Sequence, residues 1–395
     1  MSSDRELFFK HLAQTSPIPL GVEISHSEGI WLYGVNNKKY LDLISGISVS
    51  ATGHRHPEVI SAIHEQLNKY LHVMVYGEFV LSPQVKLTQL ICDSLPTRLD
   101  NVFLVNSGSE AIEGALKLAK RSTGRTKIIS FKNGYHGSTH GALSIMGSET
   151  AKNAFRPLLP DIYMLNFNDL NTLEQIDSET ACVVVETIQG EAGAEVPGNS
   201  FLQALRQRCN DMGALLILDE VQCGAGRTGK FWAFEHYNIE PDILVMAKGI
   251  AGGLPLGAFV ASKELMQELT YKPVLGHIST FGGNPLCCAA AFANINVILR
   301  EKLHEQAIAK EKIFRENLKH PLIKSIKGKG LLLAAEFENF DQNKSIIDRC
   351  IKKGLITDWF LFAPHCMRIA PPLIITEEQI MEGCKIIIEA INEED

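Results

Sequence analysis

Four short stretches of the chain, residues 102–105, 182–185, 214–218 and 243–247, are nearly continuous in apolar side chains. Runs of Val, Ile and Leu that do not alternate with polar residues fit strands covered on both faces. Between them the period changes. In 109–121, Ile112, Ala115, Leu116 and Ala119 recur at helical spacing, and Pro57 opens another helix with Val59, Ile60, Ile63 and Leu67 on one face. Strands alternating with helices predict an α/β fold with a mostly parallel sheet.

The two ends read differently. Residues 30–33 and 39–43 flank Asn36-Asn37 and predict a small hairpin. Past residue 283 come long helical patterns over 285–318, a Gly-flanked strand at 331–337, and a closing helix opened by Thr376-Glu377-Glu378-Gln379, a capping-box pattern. The most membrane-like stretch, 243–261, is interrupted by Lys248, Pro255 and several glycines; it predicts strand, loop and strand, not a spanning helix.

At 395 residues the chain exceeds the size at which one core stops growing, so two structural units are expected. A 45% hydrophobic, 21% charged composition is that of a globular protein, and a net charge of -7 without a basic run argues against nucleic acid as a partner. Nine scattered cysteines without a C-x-x-C pair, behind a charged N-terminus that lacks a secretory pattern, predict reduced thiols in a cytoplasmic protein.

The polar residues at the strand ends carry the chemistry. Asn106 and Ser107, Glu186, Asp219 and Lys248 each close one of the four apolar runs. Any one of them alone is a strand end reaching water. In an open α/β sheet, however, the ligand crevice lies outside the carboxyl ends of the strands, where all four sets meet. Ser107-Gly108-Ser109 leads straight into a helix whose N-terminus suits an anion, although Ser107-x-x-Glu110 also fits a plain capping box. Gly224, Gly226 and Gly229 form a literal G-x-G-x-x-G that would suit a nicotinamide-dependent oxidoreductase. That reading is disfavoured, because Asp219 to Gln222 separate strand from glycines and no apolar helix period follows.

Leu218-Asp219-Glu220-Val221-Gln222 with Gly226-Arg227-Thr228-Gly229, then Pro241-Asp242-Ile243 and Ala247-Lys248-Gly249, resembles the signature of class III aminotransferases. Further matches are Gly53-His54-Arg55-His56-Pro57, Asn106 to Ala111, Gly134-Tyr135-His136-Gly137, Gln189-Gly190-Glu191, Thr280 to Pro285 and Arg368 to Leu373. The resemblance implies a fold type I enzyme dependent on pyridoxal 5'-phosphate. It implies a large cofactor-binding domain over 48–282 and a smaller α+β domain built from 1–47 and 283–395.

By the same resemblance Lys248 carries the cofactor as a Schiff base and shuttles a proton, while Asp219 faces the pyridine nitrogen so that the ring accepts electrons. Ser107, Gly108 and Ser109 hold the phosphate, Tyr135 and Val221 cover the two ring faces, Gln222 reaches the phenolic oxygen, and Glu186 belongs to the cofactor site. Thr280 reaches the cofactor phosphate of a neighbouring subunit, which implies a homodimer. Arg368 resembles the carboxylate-binding arginine, and Glu191 the glutamate that pairs with it in some members. The 29 residues from Asp219 to Lys248 leave room for a helical crossover between parallel strands. His54 and His56 fall in a structural turn, and no metal is expected.

Two positions depart from the family. Thr187 replaces a usual Pro, a minor backbone change. Ser138 stands where ornithine, acetylornithine and 4-aminobutyrate aminotransferases usually have Arg, which leaves a distal carboxylate to another cation such as His140, or points to a less acidic substrate. The expected activity is ping-pong amino transfer between an amino acid or amine and a 2-oxo acid. A pyridoxal-phosphate aminomutase is the nearest alternative.

Overall fold

The computed structural model describes residues 3–35 and 37–393. The chain opens with strands β1 (Ile24–Glu28), β2 (Trp31–Gly34) and β3 (Lys39–Asp42). It continues with β4 (Asn101–Val105), β5 (Lys127–Phe131), β6 (Ile162–Leu165), β7 (Thr180–Glu186), β8 (Leu215–Asp219), β9 (Ile243–Met246) and β10 (Gly257–Ala261). It closes with β11 (Ser325–Lys329), β12 (Leu332–Glu336), β13 (Leu355–Ile356) and β14 (Cys366–Ile369).

Strands β4 to β10 form one sheet in the order β4-β10-β9-β8-β7-β5-β6. Six of them run parallel, and β10 is inserted antiparallel between β4 and β9. The apolar runs behave as their composition requires: every residue of β7, β9 and β10 is buried. Because β4, β7, β8 and β9 point the same way, their carboxyl ends share one edge. Register fixes that edge closely, with Glu186 paired across to Asp219 and Asp219 to Val245.

The helix Gly108–Thr123 follows β4 and buries Ala111, Ile112, Ala115, Leu116 and Ala119, the stripe its period predicts; Gly124, at φ 66°, ends it. The helix Pro57–Leu67 is present, but its stripe is turned: Val59 and Gln66 are buried and Leu67 is 48% exposed. Gln66 can go inward because its amide donates to the Tyr70 carbonyl, 2.9 Å away. The pattern over 285–318 is two helices, Pro285–Arg300 and Ala307–Asn317, separated by a turn in which Lys302 has φ 51°.

The crossover between β8 and β9 differs from expectation. It contains only a short 3-10 segment, Ala233–Tyr237, since the glycine turn before it uses up the length a helix needs. Strands β2 and β3 pair antiparallel as the predicted hairpin, with Asn36 outside the described residues. Their sheet is β1-β2-β3-β13, so the chain's beginning pairs with a C-terminal strand, while β11-β12-β14 form a third sheet. The closing helix, Glu377–Asn392, carries its full capping box from Thr376 and Gln379. Among the described residues no helix is long and apolar enough to cross a membrane.

Candidate active site

A cavity of about 530 Å³ opens at the carboxyl edge of the large sheet. Ser107, Gly108, Ser109, Tyr135, Ser138, Glu186, Glu191, Asp219, Val221, Gln222 and Lys248 all line it. The fold brings these eleven residues, from five separate loops, to one place.

At one end is the N-terminus of Gly108–Thr123. The Ser107 hydroxyl accepts from the Glu110 amide at 3.1 Å, but the reciprocal arm of a capping box does not form. The Glu110 carboxylate instead accepts from Asn106, from its backbone N–H at 2.9 Å and its side-chain amide at 2.8 Å. The first amides of a 16-residue helix thus face the cavity, which suits an anion. Gly108 must lack a side chain: a Cβ there would stand 2.9 Å from both methyl carbons of Val221.

Asp219 ends β8 and is buried, with one oxygen accepting from the Val221 amide at 3.0 Å and the other 2.7 Å from His136 Nδ1. Burial works against charge on the imidazole, yet the hydrogen bond and charge of Asp219 hold its pKa above the ordinary histidine value. His136 Nε2 is buried without a partner. Sequence reasoning gave His136 no role, although it sits between Tyr135 and Gly137 in a motif already singled out. Glu186 accepts from the amides of Tyr135 at 2.8 Å and Gly190 at 2.9 Å, so it also fixes the loop that carries Tyr135; burial pushes its pKa up. Gln222 donates to Glu191 Oε1 at 3.0 Å, and its own amide oxygen is buried and unpaired.

Lys248 follows β9 with φ 46°, a left-handed backbone rare outside glycine and common at active sites. Burial lowers the pKa of its amine, while Glu191 pulls the other way. Among the described residues the amine has no hydrogen-bond or ion-pair partner.

Beyond Lys248 lies a second cavity, about 610 Å³, that shares Tyr135, Glu191 and Lys248 with the first. Its floor is a buried charge cluster. Arg368, on β14, forks onto Glu191 with N–O distances of 2.9 and 3.0 Å, and its Nε donates to Asp358 at 2.8 Å. The guanidinium also lies 4.2 Å from the ring centroid of Phe360. Burial opposes every charge here, but the pairing wins for two members: Arg368 is held above and Glu191 below their usual values. Burial dominates at Asp358, whose pKa is raised. Sequence reasoning missed Asp358, since Thr357-Asp358-Trp359-Phe360 carries no periodic signal.

Several expectations fall elsewhere. Thr280 is exposed and outside both cavities. His140 begins a short helix and lines neither cavity, so it supplies no distal cation. Thr187 is more than a backbone change: its hydroxyl donates to the buried Glu220 at 2.9 Å, which proline cannot do. Gly224, Gly226 and Gly229 form a turn around buried Arg227 with no helix directly after it, so no dinucleotide loop exists there. His54 bonds Asp42 at 2.7 Å in the expected turn.

These residues fit pyridoxal phosphate on their own geometry: an unpartnered amine, unpaired polar atoms on His136 and Gln222, a buried carboxylate, and an anion-ready helix end around one cavity. Comparison with known proteins agrees. The family model for aminotransferase class-III matches residues 13–391. Acetylornithine aminotransferase of Methanopyrus kandleri is 38% identical over 393 residues, covering 98% of each chain. The [LysW]-aminoadipate semialdehyde/glutamate semialdehyde transaminase of Sulfurisphaera tokodaii is 39% identical over 322 residues, 80% of this chain and 82% of that one. Among solved structures, ornithine aminotransferase from Toxoplasma gondii superposes with a TM-score of 0.90 at 32% identity, covering 98% of this chain and 94% of that one. The chain belongs to the class III aminotransferases, fold type I enzymes that use pyridoxal phosphate to exchange an amino group between an amine or amino acid and a 2-oxo acid.

Proposed function

We propose that the protein moves the amino group of a terminal amine onto a 2-oxo acid, using Arg368 only in the second half of the cycle. The observation that carries this reading is the buried fork between Arg368 and Glu191. An arginine already satisfied by an internal carboxylate does not ask for one on the donor, so the donor's reacting carbon bears no carboxylate. The 2-oxo acid does bring one. Its carboxylate takes Glu191's place on Arg368, exchanging one charge-assisted pair for another and leaving no buried charge unpaired. The relatives named for semialdehydes, whose carbonyl is at a chain end, are consistent with this.

When bound, pyridoxal phosphate supplies an aldehyde that receives amines and a conjugated ring that accepts the electron pair released at the reacting carbon. Lys248 would hold the cofactor through its amine and serve as the base at the donor's amine-bearing carbon. Asp219 would keep the ring nitrogen protonated, with His136 holding Asp219 in place. Ser107, Gly108 and Ser109 would hold the phosphate with hydroxyls and helix-end amides, and Tyr135 and Val221 would cover the ring. Gln222 would meet the phenolic oxygen, and Glu186 fixes the loop of Tyr135.

Residues 48–282 form the cofactor-binding unit, and 1–47 with 283–395 the second unit, a division supported by the pairing of β3 with β13. The working form is a homodimer in which Thr280 reaches the partner's cofactor phosphate. Exposed Phe79, Val80, Val274 and Phe281 are apolar surface such an interface would cover. Nine free cysteines, eight of them buried, suit the reducing cytoplasm.

The test has two parts. Borohydride reduction of the yellow holoenzyme followed by peptide mapping should fix the cofactor on Lys248, and Lys248→Ala should lose both covalent attachment and turnover. A terminal amine paired with 2-oxoglutarate or pyruvate should then transfer nitrogen. Attachment to another lysine, or donors confined to α-amino acids, overturns the reading.

A further inference from the structure

The second cavity carries a charge balance that bears on what the donor's far end looks like. Among the described residues its charged lining residues are Glu191, Lys248, Asp358 and Arg368. Lys248 belongs to the cofactor end of this cavity, so Arg368 is its fixed cation, set between the carboxyl groups of Glu191 and Asp358. Both terminal nitrogens of Arg368 donate to Glu191, one of them also to the Trp359 carbonyl, and Nε donates to Asp358. A tail ending in a carboxylate therefore reaches this cation only by displacing Glu191.

Asp358 holds Arg368 Nε with one oxygen only. Its other oxygen has no hydrogen-bond partner among the described residues, and the side chain, 18% exposed, borders the cavity. Leu12, Ile18, Ile47, Trp359 and Leu361 line the same cavity, together with Gln14, Thr15 and Ser16. A largely apolar cavity bordered both by an amine-handling lysine and by a half-used carboxylate suits an aliphatic chain with nitrogen at both ends.

We propose that the preferred donor is a diamine-like chain, one amine reacting at Lys248 and a far-end ammonium received by Asp358. This rests on the reading of the protein as a terminal-amine transferase and names the donor class of the same site. The reaction balances without a further reagent. The reacting nitrogen passes to the 2-oxo acid, whose carbonyl oxygen ends on the donor carbon through water, so an amino aldehyde and an amino acid leave.

The experiment uses the holoenzyme and three donors of equal length that differ only at the far end: pentylamine, 1,5-diaminopentane and 5-aminopentanoate, each with 2-oxoglutarate and with pyruvate. The diamine should give a kcat/KM on the order of 10-fold or more above pentylamine, with 5-aminopentanoate lowest; a charge-assisted hydrogen bond of roughly 1.5–3 kcal/mol is worth about that much. Asp358→Asn keeps an acceptor for Arg368 Nε but removes the charge. It should lower kcat/KM for the diamine to about that for pentylamine, so that the preference between these two donors disappears. Equal or better use of 5-aminopentanoate by the wild type overturns the proposal, as does a diamine preference that survives Asp358→Asn. If none of the three transfers nitrogen while α-amino acids do, the terminal-amine reading itself fails, a result distinct from transfer without preference.

Discussion

His136 Nδ1 and Asp219 Oδ2 stand 2.7 Å apart in a buried pair, each residue 3% exposed. The imidazole gives the carboxylate a fixed orientation toward the cavity and leaves its other oxygen on the Val221 amide. His136→Ala should therefore retain cofactor, seen as the visible absorption band, yet lose roughly 10²-fold in kcat, the usual scale for a misplaced electrostatic partner. His136→Asn, which can still donate to the carboxylate, should recover part of the loss. Unchanged kcat in the alanine variant would show that Asp219 needs no support.

The Arg368–Glu191 fork predicts opposite effects from its two members. Arg368→Lys keeps the charge but not the planar fork, so the KM for 2-oxo acids should rise about 10- to 100-fold, with little change for a donor that lacks an α-carboxylate. Glu191→Ala frees the guanidinium, and α-amino acids should become better donors. Stopped-flow absorbance of the two half-reactions separates these effects; parallel losses in both halves would contradict the exchange of carboxylates.

Much of this site could be read from the chain because buried parallel strands advertise themselves as unbroken apolar runs, so a polar residue at the end of one is conspicuous. Asp219, Glu186 and Lys248 stood out for that reason. The other half of the site lacked such a frame. Strand β14 is four residues with a buried arginine in the middle, Cys366-Met367-Arg368-Ile369, and only resemblance marked Arg368. His136 and Asp358 gain meaning from partners 83 and 10 residues away that no local period announces. Glu110 misled in a different manner: the spacing to Ser107 was right for a capping box, but Asn106 offered its carboxylate two donors at once.

Glu220 links pH to stability. Its carboxylate accepts from Thr187 and from the amides of Ala233 and Phe234, yet burial pushes its pKa up to about 7 from an ordinary 4.5. A carboxyl with a raised folded-state pKa favours folding in its protonated form. That contribution is fully present below about pH 4.5 and is lost as pH rises through about 7. Urea unfolding from pH 5 to 8 should show a fall in stability that is flatter in Glu220→Gln, whatever the variant's absolute stability. Thr187→Val removes one of the three hydrogen bonds and should cost about 1–2 kcal/mol near neutral pH. Parallel pH slopes for wild type and Glu220→Gln would remove Glu220 as the cause.

Ser138 lines the cofactor cavity, exposed, with its hydroxyl 3.4 Å from that of Tyr135. Among the described residues the basic side chains lining the two cavities are His136, paired with Asp219, and Lys248 and Arg368, both engaged in the proposed cycle. Donors with a far-end carboxylate, 4-aminobutyrate among them, should accordingly be poor substrates of the wild type. Ser138→Arg places a guanidinium beside Tyr135, which lines both cavities. It should raise kcat/KM for 4-aminobutyrate and 5-aminopentanoate by roughly 10-fold or more and lower that for 1,5-diaminopentane, because the same charge that attracts a carboxylate repels an ammonium. Since the added cation is exposed, the shift should shrink as salt is raised from about 0.05 to 0.5 M, where the screening length falls to a few ångströms. If 4-aminobutyrate is already the best donor of the wild type and Ser138→Arg improves neither carboxylate-tailed substrate, the far end is recognised by something other than the charges that line these cavities.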